Sequence, residues 1–166
     1  PEPFKKYFNQ GMITADAFAD GRGTYVDIRE VEIRDGEPFH SKTGEKLTRF
    51  AGKMGKRYKN GLPPEEVGAE YGIDTLRLYE MYMGPLEASA PWSMEGIRGM
   101  QRFLHRVWRN LLDRDGSPKW AQDGGGDDGA GADEGITKLL HRTIDKVTAD
   151  IEALRFNTAI AALIEL

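Results

Sequence analysis

Between residues 93 and 112, apolar side chains recur at spacings of three and four: Ile97, Met100, Leu104, Val107, Trp108 and Leu111. That period sets them on one face of a helix and commits this stretch to burying a stripe. Ser93 supplies an N-cap, and Trp92 with Ile97 has the spacing of a hydrophobic staple. A second stripe follows in Ile136, Leu140, Thr143 or Ile144, Val147, Ile151 and Leu154, after which Asn157 or Thr158 can cap a third helix. Helices joined by loops, each with one apolar face, imply a bundle. Residues 113–135 are rich in Gly and Asp, too polar to pack, and read as a mobile linker.

The first third carries a different period. Residues 4–18 read as a short mixed segment and Gly21-Arg22-Gly23 as a turn. From 24 to 33 the residues are rich in β-branched types; Val26 and Ile28 alternate, the phase slips, and Val31 and Ile33 resume, which predicts a strand with a bulge or bend. Asp35-Gly36 is a hairpin signal with 37–47 as a weaker return strand. Pro64 suits a first helical position, followed by Glu65 and Glu66 at the positive end of the helix dipole, and Gly72 stops that helix. Asp74 can cap the next, which runs through Leu76, Leu78, Tyr79 and Met83 to Gly84-Pro85. The expected class is α+β, mostly α: a small β-containing part followed by a helical bundle.

Composition removes several classes of function. With 39% hydrophobic residues in 166, the chain can build a core. Without cysteine it has neither a disulfide framework nor a thiolate zinc site, and His40, His105 and His141 are scattered, so no metal site is expected. No apolar run approaches bilayer length and the N-terminus lacks signal-peptide order, so no membrane partner is expected. Both ends of the chain read as cuts, since it starts without Met and stops inside the helical pattern of 158–166.

The net charge of −4 conceals an uneven distribution. Asp123, Asp127, Asp128, Asp133 and Glu134 exceed that whole deficit, whereas from Lys42 to Lys59 seven basic residues face Glu45 alone. Phosphate binding draws on such local patches. Arg98, Arg102, His105 and Arg109 form a basic stripe on the first long helix, a pattern that by itself describes a solvated face. Glu65-Glu66 is helix-start charge and no catalytic pair, and Gly21-Arg22-Gly23 is a weak signal for a nucleotide cradle, which would need a preceding strand and a third glycine.

Lys53-Met54-Gly55-Lys56-Arg57 is the chemistry-bearing run: paired lysines on a Gly-containing loop can neutralise charge building on a leaving pyrophosphate. With its continuation to Tyr79 it resembles the ATP-handling Lys-Met-Ser-Lys-Ser loop of class I aminoacyl-tRNA synthetases. Glu2-Pro3-Phe4, Asn9-Gln-Gly-Met12, Tyr71-Gly-Ile-Asp-Thr-Leu-Arg77, Met83-Gly-Pro-Leu-Glu87, Pro91-Trp92, Arg102-Phe-Leu-His-Arg-Val-Trp108 and Arg155-Phe-Asn-Thr-Ala-Ile160 occur in family order. Together they look like bacterial leucyl-tRNA synthetase over all but the Gly/Asp linker. Gly55 and Arg57 depart from the two consensus serines.

The resemblance implies that 1–59 is the end of the nucleotide-binding catalytic domain, with part of a leucine-specific insertion around 24–47. It further implies that 60–84 is a junction, and that 85–166 starts an anticodon-binding-type helical bundle that holds tRNA. Lys56, assisted by Lys53, would stabilise pyrophosphate, with Met54 and Gly55 completing the ATP-binding loop. Arg98, Arg102 and Arg109 would contact the tRNA backbone. ATP with Mg2+ would be a substrate of the complete enzyme and nothing would be held tightly by this chain. The partners would be tRNA(Leu), ATP and leucine, and the location cytoplasmic. The family's His-Ile-Gly-His signature is absent from the sequence, so the expected function is that of a fragment of an ATP-dependent leucine–tRNA ligase, inactive alone. The alternative is a non-catalytic truncated paralogue that binds tRNA or a protein.

Overall fold

The computed structural model describes residues 3–119 and 133–166. They divide into two compact units, one formed by 3–67 with 86–93 and the other by 68–85 with 94–119 and 133–166. The fold is α+β and mostly α, with two small sheets and five helices among the described residues.

In the first unit, strand β1 (Ile13–Ala19) is central. It pairs antiparallel with β5 (Thr48–Lys53), in register from Thr14↔Lys53 to Ala19↔Thr48. Its C-terminal end also pairs with β2 (Tyr25–Val26), and its N-terminal end pairs parallel with β6 (Ala90–Pro91). Residues 4–18, read above as a mixed segment, thus hold most of the organising strand; its signal is weak because ITADAFA mixes small and polar residues. Gly11 leads into it and donates its N–H to Leu86 O. A Cβ at Gly11 would lie 2.0 Å from Ala88 O, so only glycine admits this approach. Phe18, Val26 and Leu47 form the buried core, with Ile28 and Val31 packed against it.

The phase slip after Val26 is a single 3-10 turn, Ile28–Glu30, rather than a bulge. Asp27 caps it by accepting from Arg29 N. Strands β3 (Val31–Arg34) and β4 (Glu37–His40) then form the hairpin expected at Asp35-Gly36. Both turn residues have positive φ, 51° and 82°, as a type I′ turn demands. The return strand ends at His40, shorter than 37–47, with one further bridge from Phe39 to Lys46.

Helix α1 (Pro64–Tyr71) starts at Pro64 as the sequence predicts. In the second unit, α2 (Ile73–Tyr82) is preceded by Gly72 at φ 89°. Asp74 therefore lies inside the first turn and does not cap it: one glycine suffices to redirect the chain, leaving no room for a longer connection. Helix α3 (Met94–Leu111) begins directly after Ser93. It packs close to α2, where a Cβ at Gly96 would meet the buried Tyr79 ring at 2.6 Å. Ile97 and Met100 are buried, but Trp108 and Leu111 at the other end of the same stripe are 62% and 49% exposed.

Helix α4 (Glu134–Glu152) starts two residues before the sequence expectation because Asp133 accepts hydrogen bonds from Gly135 N and Ile136 N. Residues 120–132 of the expected linker lie outside the described residues, and 113–119 form a turn closed by Asp113 N to Ser117 O. Helix α5 (Phe156–Glu165) has Arg155 at its N-cap position, so neither Asn157 nor Thr158 caps it. Thr158 instead donates to the Asp150 carboxylate, 2.7 Å, which also binds Lys146 and Arg155 and closes the α4–α5 corner.

Candidate functional site

The Lys53–Lys56 loop grows out of the end of β5. Lys53 is still in the ladder opposite Thr14, and Met54 donates its N–H to Ile13 O at 2.9 Å. After Gly55 the chain turns through a 3-10 segment, Lys56–Tyr58, with Tyr58 N donating to Gly55 O. Lys59 adopts a left-handed conformation, φ 51°, and its carbonyl accepts from Ile28 N. Lys53, Lys56, Arg57 and Lys59 are all exposed. Four cations on a short, backbone-anchored loop can meet a polyphosphate without first being desolvated.

Gly55 has extended backbone and open space around its α-carbon, so the consensus serine would fit there. The Arg57 guanidinium lies over the Tyr58 ring at 5.7 Å. Tyr58 in turn packs edge-on against Tyr25 and Phe50, with ring centroids 5.0 and 6.0 Å apart. The aromatic trio fastens the C-terminal side of the loop to β2 and β5, and the long cation at position 57 extends that fastening outward.

Beside the loop is an open groove of about 670 Å³, lined among others by Met54, Gly55, Lys56 and Lys59 and by Asp27 and Arg29. The Arg29 side chain grips Asp27 through Nε and Nη2, 3.0 and 2.9 Å. Those hydrogen bonds, with one from Arg29 N, hold the Asp27 carboxyl down at about 2. Asp27 thus stays ionised beside the lysines, and Arg29 is occupied by it.

Asn60 was not singled out by sequence. Its side chain is buried, accepts from Gly55 N at 2.9 Å and donates to Ala15 O at 3.2 Å. A lone Asn after a lysine-rich loop resembles any turn residue; only its burial distinguishes it.

The basic stripe lies on α3, in the second unit. Hydrogen bonding to the Tyr71 side chain holds the Arg98 guanidinium pKa above its ordinary value. Arg102, His105 and Arg109 are exposed, and among the described residues no acid pairs with Arg102 or Arg109. Among the described residues no group of side chains could hold a metal ion, and no helix is long and apolar enough to cross a membrane.

No protein-family model matches the chain. Curated relatives do: it is 49% identical over 165 residues to "Leucine--tRNA ligase" of Streptomyces coelicolor, covering 99% of this chain and 17% of that protein. It is 47% identical to the protein of the same name from Mycolicibacterium paratuberculosis, with the same shares covered. Among solved structures it resembles a chain in the crystal structure of the ternary complex of Agrobacterium radiobacter K84 agnB2 LeuRS-tRNA-LeuAMS. The TM-score there is 0.59 and the identity 25%, over 99% of this chain and 17% of that one. The chain is therefore homologous along essentially its whole length to the leucine–tRNA ligases, of whose own length it spans about one-sixth.

Proposed function

We propose that this chain supplies the ATP-handling loop and a tRNA-contacting helix of a leucine–tRNA ligase. Residues 1–59 would close the catalytic domain, 60–84 would join it to the tRNA-binding part, and 85–166 would begin that part. In adenylate formation a leucine carboxylate oxygen bonds to the α-phosphorus of ATP while the bond to the bridging oxygen breaks, releasing pyrophosphate. Lys56, assisted by Lys53, meets the charge that accumulates on that leaving group, and the Met54 and Gly55 backbone holds the two at the sheet edge.

The observation that carries this reading is the anchored loop with both lysines exposed, in a chain nearly half identical to leucine–tRNA ligases. It also accounts for the exposed Arg102 and Arg109 as backbone contacts to tRNA. The test replaces the matching segment of the Streptomyces coelicolor enzyme with this chain and follows leucine-dependent ATP–pyrophosphate exchange. Lys56→Ala is expected to lower the rate about 100-fold, with the leucine KM unchanged. An unaltered rate would overturn the assignment. The 166-residue chain alone is expected to give no exchange, because the donors that position ATP must act together.

A further inference from the structure

Asn60 is 1% exposed, and with Ile97 it is the largest side chain among the described residues to be so fully shut off from solvent. A buried primary amide is tolerated only when its hydrogen-bonding capacity is used. Here the Oδ1 atom takes the Gly55 N–H and the Nδ2 atom binds Ala15 O on the central strand. One rigid, planar group therefore joins the middle of the lysine loop to the strand that organises the whole unit. Lys53 needs no such help, since it is already fixed opposite Thr14 in the β1–β5 ladder. Lys56 lies beyond the ladder, and its backbone position depends on Gly55, whose carbonyl also receives Tyr58 N. We propose that Asn60 is the positioning residue of the loop: by fixing Gly55 to β1 it sets where Lys56 reaches relative to Lys53.

This rests on the reading of the two lysines as pyrophosphate ligands. No other side chain reproduces the geometry. Asp would keep the acceptor for Gly55 N but lose the donor to Ala15 O, Gln is one methylene too long, and Ala leaves both backbone groups unpaired.

The experiment titrates inorganic pyrophosphate into the 15N-labelled 166-residue chain and follows the amides of residues 53 to 56. Shifts are expected in the unmodified chain and are expected to vanish in Lys56→Ala. Asn60→Ala, with the rest of its spectrum native, is expected to weaken pyrophosphate binding about tenfold, and Asn60→Asp to fall between the two. An Asn60→Ala chain that is folded and binds as tightly as the unmodified one overturns the proposal while leaving the lysine reading intact. Should Asn60→Ala not fold, Asn60→Asp carries the same comparison. Independently of any variant, Gly55 N–H is expected to resist hydrogen exchange as the β1–β5 amides do. Exchange at the rate of a free amide would also overturn the proposal. If the unmodified chain shows no shifts while Gly55 is protected, pyrophosphate binding by the loop on its own fails and the anchoring stands.

Discussion

Asp27 stands at the entrance to the lysine loop and does two jobs with one carboxylate, capping the 3-10 turn through Arg29 N and holding the Arg29 side chain. Its pKa lies near 2, below the ordinary 3.8, so ionisation is favoured by folding. The stabilisation is complete above about pH 4 and is lost as the pH falls through 2. Acid titration of the chain is expected to show unfolding that steepens in this window, and Asp27→Asn is expected to remove that part of the slope. A slope unchanged by the substitution would mean that other carboxylates govern it. The charge pattern of 42–59 is readable in sequence, whereas the Asp27–Arg29 clasp and the Asn60 anchor are not, because they join residues through backbone turns that no spacing rule encodes.

Among the elements, helices are the most legible. The boundaries of α3 follow from Ser93 and the apolar period, and α1 from Pro64. Strand β1 escaped because ITADAFA mixes small and polar residues, and its strand character comes largely from β5 and β6, two partners that are distant in sequence. The caps of α2 and α5 were misplaced because backbone geometry at Gly72 and Arg155 decides them, with no side-chain cap bond at either. On α3, Arg98 differs from Arg102 and Arg109 in that hydrogen bonding to Tyr71 raises its pKa. In the chimeric ligase, replacing Arg102 and Arg109 with Ala is expected to flatten the dependence of tRNA affinity on salt, by a log–log slope of about 0.7 to 0.9 for each lost contact. Replacing Arg98 is expected to lower the melting temperature as well. Equal salt slopes before and after removal of Arg102 and Arg109 would exclude α3 as a contact surface.

At the scale of the whole molecule, the first unit is discontinuous: the chain leaves it after residue 67 and comes back at 86–93 to complete the sheet. That return depends on Gly11, against which the Ala88 backbone lies. Gly11→Ala is expected to cost about 1–3 kcal/mol and to speed hydrogen exchange of the Ala90 and Trp92 amides, which bond to Met12 and Thr14. Retention of full protection at those two amides would show that the close approach is dispensable. Sequence order alone suggests consecutive blocks, and only the β1–β6 pairing reveals that an early segment waits for a late one. During synthesis on the ribosome, residues 12–14 therefore remain an open edge until 90–92 have been translated. The sheet of the first unit is thus completed only after the segment 68–85, which belongs to the other unit, has been made.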